Sequence, residues 1–464
     1  MQAAMAAPLV DVLFERVAQS ADAIIFTRGS DRWTNSEFLA TCLRLASRLR
    51  EQTGDGAAIA VSAESQALLP FLIWSTVIAE IDLWLLPALP AGAPQLEQAS
   101  GLPVRIIYSD GPAFVADDRW QPLASLLSNL PVDSIHRPDS SRQAAFVFQT
   151  SGTEGEPKSI RCEHWQFAQV LRVMRECGAL NHAISTQVYL SQPLQHSYGL
   201  CSFLEYCAAG GSVVLPPEHS PLGPAGDLMQ MTSSIQAIEG VPYFWSQFAK
   251  LRRRLDLPDL RHLGLGGGPV DTLVMKTVLT RFPDASVSVR YGLTETPSVA
   301  AHKVYTPPHG ADWISSGRVV PAYEVEIRDT SEQVVPDGTE GEIVILGDCV
   351  AAPYGILRTG DLGYFDQQRE LVVTGRRSAF IKRRGFRLSP ETIESAATRC
   401  DDVVDCRAIG VDDRLILEVV CQTELSAPRL LDQLRALLPA TMVPDEVRRV
   451  AAISRTFSGK IKRS

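Results

Sequence analysis

No Cys-x-x-Cys pair occurs in this sequence. Its nine cysteines, Cys42, Cys162, Cys177, Cys201, Cys207, Cys349, Cys400, Cys406 and Cys421, stand singly along 464 residues. An odd, scattered set argues against a disulfide framework or a zinc ribbon and predicts reduced thiols in a cytoplasmic protein. The eight histidines show no ligand spacing either, so no structural metal is expected. Long hydrophobic runs are missing too. The longest uncharged apolar stretch, Leu68 to Ala79, is too short to span a bilayer and meets Glu80 and Asp82. It predicts a buried helix followed by a buried strand, without membrane insertion. The apolar start, Met1 to Pro8, has no basic residue and runs into Asp11 and Glu15, unlike a secretory leader. A basic surplus is also lacking: the net charge is −9, which disfavours a nucleic-acid partner. The charge is uneven, however. Residues 375–464 hold about 17 basic and 12 acidic residues, roughly +5, leaving about −14 for the first 374. A basic end region suits an anionic small ligand or an acidic partner protein.

What is present is enough chain for two or three domains and a large core. Through about residue 290, apolar β-like runs alternate with amphipathic stretches, the rhythm of parallel α/β layers. Thr34-Asn35-Ser36-Glu37 is a capping-box pattern that opens a helix through about Arg50. Strands are predicted at Ala57–Val61, Ala144–Gln149, Gln187–Leu190, Ser212–Leu215, Gln236–Ile238 and Val287–Val289, with a helix at Gln66–Ala79. From about Trp313 to Thr374 the texture changes to short β runs at Glu324–Arg328, Glu342–Leu346 and Leu371–Val373, a barrel-like or meandering segment. A boundary is expected near Gly375–Ala379. Beyond it lies a unit of about 85 residues with a helix after Pro390, strands at Val403–Ile409 and Leu415–Cys421, and a helix near Arg429–Leu438.

Five segments carry chemistry. Thr150-Ser151-Gly152-Thr153-Glu154-Gly155-Glu156-Pro157-Lys158 follows a predicted strand, and its amides and hydroxyls can converge on phosphate oxygens beside a lysine charge. Pro157 before Lys158 sets it apart from the Walker loop, whose lysine opens a helix directly. In Tyr291-Gly292-Leu293-Thr294-Glu295 the tyrosine can stack on a purine, the threonine can touch phosphate and the glutamate can hold Mg²⁺. Arg358-Thr359-Gly360-Asp361 reads as a tight turn whose carboxylate could take two ribose hydroxyls. Gly375 to Arg387 holds six basic residues in thirteen, at the expected hinge. Lys460 lies on a short tail in Ser458-Gly459-Lys460-Ile461. Gly264-x-Gly266-Gly267-Gly268 lacks the order of a dinucleotide fingerprint.

The order and spacing of these segments resemble the adenylate-forming superfamily of acyl- and aryl-CoA ligases, nonribosomal-peptide adenylation domains and luciferases. The resemblance runs from about residue 20 to the end. It implies an α/β fold: a large N-terminal domain of layered sheets with a small β-rich segment (1–374), a hinge (375–379) around Ser378, and a small mobile α+β C-terminal domain (380–464). It further implies that ATP phosphates meet Thr150, Ser151, Gly152, Thr153, Gly155 and Lys158, and that adenine stacks on Tyr291 in a pocket lined by Gly266, Gly267 and Gly268. Thr294 and Glu295 would serve the α-phosphate and Mg²⁺, and Asp361 and Arg376 the ribose. Lys460 would bridge substrate carboxylate and α-phosphate, and Lys382 would belong to the face presented for the second half-reaction.

Gln192-Pro193-Leu194-Gln195-His196-Ser197-Tyr198-Gly199-Leu200 resembles the acyl/aryl ligase stretch, without the aspartate common in amino-acid-activating domains. Ser197, Tyr198, Tyr243 and Phe244 would line an apolar acid pocket, and His196 either gates it or is a packed helix-start histidine. The implied activity is ATP-dependent formation of an acyl-adenylate from a carboxylic acid, then transfer to a pantetheine thiol of CoA or of an acyl carrier protein. An amino-acid-activating enzyme and a nucleotide-binding member without turnover stay open as alternatives. Departures from the family pattern are Glu154 in place of a hydroxyl residue, Ser378 in place of Asp or Lys, and a short segment between Gly410 and Cys421.

Overall fold

The computed structural model describes residues 8–54, 57–62, 66–86, 103–110, 119–131, 144–151, 157–216, 228, 234–250, 257–268, 272–309, 315–377, 381–383, 386–388, 390–400, 402–421, 426–455 and 461. The chain divides into two compact units. The first comprises Met1–Gly267, Leu273–Val325 and Ile345–Leu357; the second comprises Gly268–Thr272, Glu326–Val344 and Arg358–Ser464.

Two sheets build the larger unit. One has nine strands in the order Arg318–Val319, Ala301–Tyr305, Ser286–Tyr291, His262–Leu265, Ala237–Gly240, Gln187–Leu190, Ser212–Val214, Ile24–Arg28 and Asp31–Thr34. Its six central strands are parallel, and antiparallel strands finish both edges. The other has six strands: Trp120–Pro122, Val104–Ser109, Ala58–Ser62, Asp82–Leu86, Ala145–Ser151 and Pro157–Glu163. Its last two form an antiparallel hairpin on otherwise parallel pairing. The expected α/β alternation is the fold.

Local chemistry explains several element ends. The Asn35–Thr53 helix opens with both bonds of the capping box: the Glu37 amide donates to Thr34 Oγ1 at 3.2 Å and the Thr34 amide to Glu37 Oε2 at 3.0 Å. Leu69–Ala79 is buried on every side and is followed by the buried strand Asp82–Leu86, as the apolar run predicts. That helix begins three residues later than expected, with Pro70 in its first turn, where a missing amide costs nothing. Gln66 therefore lies ahead of it. Its side-chain amide donates to Gln195 Oε1 at 2.8 Å and its carbonyl oxygen accepts the Leu194 amide at 2.7 Å, bracing the 192–196 segment.

The smaller unit carries most of a four-stranded meander, Glu324–Arg328, Gly341–Leu346, Ile356–Phe365 and Leu371–Arg376, which replaces the looser barrel alternative. Its C-terminal part has the Ile381–Arg383/Phe386–Leu388 pair and a three-stranded sheet of Val403–Val411, Arg414–Cys421 and Glu446–Arg449. The helices Pro390–Ala397 and Ala427–Leu437 pack there on an apolar core containing Leu388, Ile393, Leu417, Val419, Leu430 and Leu434. Val403–Val411 and Arg414–Cys421 close through Asp412–Asp413, both at positive φ (50° and 60°), a two-residue hairpin turn. Among the described residues, no helix is long and apolar enough to cross a membrane.

Candidate active site

Four neighbouring parallel strands of the nine-stranded sheet end at one edge, and each is followed by a segment singled out in the sequence. Gln187–Leu190 leads to 191–196 and the Ser197–Ala208 helix, and Ala237–Gly240 leads to the Pro242–Lys250 helix. His262–Leu265 leads to Gly266 and Gly267, and Ser286–Tyr291 to the Thr294–Glu295 turn. The carboxyl edge of parallel strands is where open α/β sheets place ligands.

His196 caps the Ser197–Ala208 helix, its Nδ1 accepting the Tyr198 amide at 3.3 Å. This is the geometry of the helix-start alternative. Ser197 Oγ shares a hydrogen bond with Thr294 Oγ1 at 3.2 Å, joining the helix start to the turn. The turn itself is closed by Thr296, whose Oγ1 accepts the Leu293 amide at 2.8 Å. The Glu295 carbonyl accepts the Ala351 amide at 2.8 Å, while its half-buried carboxylate has no hydrogen bond or ion pair among the described residues. Carboxylate and hydroxyl oxygens are donors of the kind Mg²⁺ prefers, so the chemistry of Glu295, Thr294 and Ser197 fits that ion. Tyr291, at the end of its strand, is half-buried.

Gly266 is required by close approach, since a Cβ there would meet the Tyr198 ring at 2.6 Å. Tyr198 is buried, and its hydroxyl donates to Glu239 Oε2 at 2.7 Å, so its ring rather than its hydroxyl borders Gly266. Phe244 is buried against Gly240, and Tyr243 beside it is exposed. Trp245 Nε1 donates to the carbonyls of Gly240 and Gly264, each at 3.1 Å, stitching two strand ends together.

Thr150 pairs with Lys158 and Ser151 with Pro157 across the hairpin, so these four are strand residues. Gly152, Thr153, Glu154 and Gly155 lie outside the described residues, as do Ser378 and Lys460. At the hairpin base the Cys162 thiol donates to the Thr294 carbonyl at 3.2 Å.

In the second unit, Asp361 corrects the tight-turn expectation. It lies inside the ten-residue strand Ile356–Phe365, directly opposite Arg376, with Nε to Oδ1 at 3.4 Å. Gly360 supplies the irregularity at φ 70°, and Thr359 Oγ1 donates to the Ile343 carbonyl and accepts the Asp361 amide. The cation run at the expected hinge is partly structural. Arg377 pairs with Glu342 at 3.2 Å, and Arg383 donates to the Thr441 and Val443 carbonyls and to Asp445. Lys382 pairs with Arg387 in register, and Gly268 opens the 268–272 segment of this unit.

Beneath the four strand ends lies a polar layer that sequence reasoning missed. Arg290 is fully buried between Glu205 and Glu239. Burial pulls its pKa down, but the two carboxylates outweigh that and hold it above its ordinary value. Glu239 also accepts from Tyr198 and Tyr206, and a Cβ at Gly264 would collide with its carboxylate. Burial, then the Glu239 charge, pushes the Tyr198 phenol well above its usual range, keeping it a donor. His182, Glu239 and His262 bring ligand atoms within 4.8 Å of one another. The His262 nitrogens already face Ser286 and Ser288 at 2.9 and 3.0 Å, and Glu239 is held by Arg290, so these donors serve the layer itself. The available signal was a single charge in each apolar run: Glu205 in Leu-Glu-Tyr, Glu239 in Ile-Glu-Gly, Arg290 before Tyr291.

The chain matches the family model described as AMP-binding enzyme over residues 90–355, and that of the AMP-binding enzyme C-terminal domain over 392–460. It is 26% identical to a luciferin 4-monooxygenase of Nipponoluciola cruciata over 59% of this chain and 53% of that protein. The chain spans about half the length of the first curated relatives it matches. In structure it resembles the anthranilate CoA ligase AuaEII in complex with anthranoyl-AMP, with a TM-score of 0.82 and 17% identity, covering 99% of this chain and 96% of that one. It also resembles o-succinylbenzoate coenzyme A synthetase (MenE) of Bacillus subtilis in complex with ATP and magnesium, with a TM-score of 0.78 and 20% identity, covering 97% and 98%. These structural likenesses share the fold.

Proposed function

We propose, for a chain that belongs to the AMP-binding enzyme family, that it activates an aryl or acyl carboxylic acid with ATP and passes the acyl group to a pantetheine thiol. One observation carries this reading: Thr294 hydrogen-bonds both Ser197 and Cys162. The candidate nucleotide turn, the helix of the acid segment and the base of the candidate phosphate hairpin thus meet at one residue.

In the first step a carboxylate oxygen attacks the α-phosphorus of ATP, and the bond to pyrophosphate breaks. Both partners are anionic, so the protein's work is alignment and charge neutralisation. The N-terminus of the Ser197–Ala208 helix offers a partial positive charge beside Thr294. Mg²⁺, when bound, would neutralise phosphate charge, with Glu295 as its protein ligand. Lys460 would bridge the reacting carboxylate and α-phosphate, carried by the C-terminal region about a hinge at 375–379. In the second step a thiol attacks the acyl carbon, AMP leaves, and the thiol proton passes to solvent.

An amino acid is disfavoured as substrate. No acidic residue lies in 192–200, and the buried Glu239 behind Tyr198 is already held by Arg290, Tyr198 and Tyr206. The roughly +5 charge of residues 375–464 and the two-residue turn at Asp412–Asp413 support an acidic carrier protein as acceptor over free CoA.

ATP–pyrophosphate exchange across benzoate, 4-hydroxybenzoate, cinnamate, hexanoate and alanine tests the reading. Exchange is expected with an aryl or acyl acid, and Lys460→Ala should lower it by about 10²–10³ without unfolding the protein. No exchange with any acid would favour nucleotide binding without turnover. Thioester formation with CoA and with a holo carrier protein side by side decides the acceptor.

A further inference from the structure

The Ser197–Ala208 helix grips the segment 294–298 at three points on one face. Ser197 Oγ meets Thr294 Oγ1 at 3.2 Å, Cys201 Sγ accepts the Ser298 amide at 3.1 Å, and Glu205 Oε1 accepts from Ser298 Oγ. Positions 197, 201 and 205 are spaced by four, so they stack along a single stripe of the helix. Glu205 is held in turn by Arg290, the residue before Tyr291. The contacts therefore close a circuit from the strand end, through the turn, to the helix and back to the strand.

Ser298 is the knot of that circuit. It sits at φ 66°, a left-handed conformation that glycine takes freely and serine seldom does. A serine at such a position marks a side chain whose bond is needed where it is. Cys201 contributes through its sulfur: burial pushes its thiol up to about 12, so it stays protonated and accepts from the amide as a neutral group. Because a helix moves as a rigid rod, these three contacts transmit any ordering of the turn along two helical turns. The N-terminal end of that rod carries Ser197 and Tyr198 of the acid segment.

We propose that Cys201, Glu205 and Ser298 are positioning residues that bind the nucleotide turn to the acid-side helix, so that filling the nucleotide site orders the acid side. This rests on the reading that Thr294 and Glu295 meet MgATP. Coupling of this kind needs no change of shape, only that one ligand orders groups the other must also find ordered.

The test uses MgATP alone with the full chain, measuring its affinity by calorimetry and hydrogen exchange of the 197–205 backbone by mass spectrometry. Ser298→Gly keeps the backbone conformation and removes the hydroxyl. Cys201→Ser keeps an acceptor and Cys201→Val removes it. In the wild-type chain and in Cys201→Ser, bound MgATP should slow exchange in 197–205. In Ser298→Gly and Cys201→Val, MgATP should bind about tenfold more weakly, and saturating MgATP should leave 197–205 exchange unchanged. A merely structural role would lower the melting temperature without abolishing that protection. Wild-type-like protection in Ser298→Gly at saturation overturns the proposal, as does a wild-type helix indifferent to bound MgATP. If Cys201→Val does not fold, Ser298→Gly and Cys201→Ser still decide it. No MgATP binding by the wild-type chain overturns the underlying nucleotide reading and this proposal with it.

Discussion

Each of the two units has its own kind of core, and the two kinds are opposite. Under the candidate site of the larger unit, the Ser197–Ala208 helix meets the nine-stranded sheet through charges and rings: Arg290, Glu205, Glu239, Tyr198, Tyr206, His182, His262 and His302. In the C-terminal part of the smaller unit the core is aliphatic, and ionic groups sit at its margin. Its most buried charged groups there, Arg383 and Glu394, bond mainly to backbone, the latter accepting the Ala408 amide at 2.8 Å. An aliphatic core tolerates many arrangements of similar volume, whereas a buried polar network is satisfied in very few. The contrast teaches where positional precision is invested: beneath the four strand ends.

The largest expected break of this contrast is Arg290→Met. It leaves two carboxylates facing each other in a buried site, an arrangement that typically costs about 3–5 kcal/mol. All seven tryptophans lie at or before residue 313, outside the second unit, so urea unfolding followed by tryptophan fluorescence reads the larger unit selectively. An unchanged midpoint would mean that the ion cluster is not what holds this layer. The matching change in the aliphatic core is Leu434→Ala. This fully buried leucine should cost about 3 kcal/mol through lost burial and a residual cavity. Amide exchange across 403–421 should rise accordingly, with the tryptophan signal as the comparison.

Acid should separate the two cores next. Burial holds His164, His182, His262 and His302 down to about 3, against an unfolded value of 6.5. Between these values the unfolded chain binds protons that the folded chain refuses. Stability is therefore complete above pH 6.5 and lost as the pH falls toward 3. From pH 7 to 6 the loss is about 0.7 kcal/mol for each histidine, about 2.7 kcal/mol for the four together. The sequence has no histidine after His309, so the C-terminal core should hold its stability over the same step. Equal losses in both regions would erase the distinction.

The sequence made the apolar architecture readable because periodicity reports burial. Gln187–Leu190, the capping box at Thr34 and the buried pair Leu69–Ala79 and Asp82–Leu86 emerged from pattern alone. What escaped were contacts between residues far apart in the chain that carry no periodic signature. Glu205 and Arg290 are 85 positions apart, and each is a lone charge in an apolar run. Asp361 misled for a different reason: Thr-Gly-Asp is turn chemistry locally, but the pairing of Asp361 with Arg376 keeps it in a strand. For the site, the segments following the strand ends were recognisable as Tyr291–Glu295 and 192–200, while the residues that position them, Gln66, Cys162, Cys201 and Ser298, were not.

The smallest change that still discriminates is Ser288→Ala. Ser288 is fully buried, and its Oγ lies 3.0 Å from His262 Nε2. Removing one hydroxyl makes the site more apolar, so if the layer were held by hydrophobic packing the substitution would be neutral or helpful. If hydrogen bonding holds it, the His262 nitrogen is left without a partner in a place water does not reach, and stability falls by about 1–2 kcal/mol. Val419→Thr is the mirror image in the C-terminal core, where a buried valine gains a hydroxyl. That unpaired hydroxyl should cost about 1–3 kcal/mol. Destabilisation by both, one through losing a hydroxyl and the other through gaining one, is the outcome the contrast requires. Urea midpoints for the first and amide exchange for the second measure it. A neutral Ser288→Ala would show that the polar layer owes its integrity to Arg290 and its carboxylates alone.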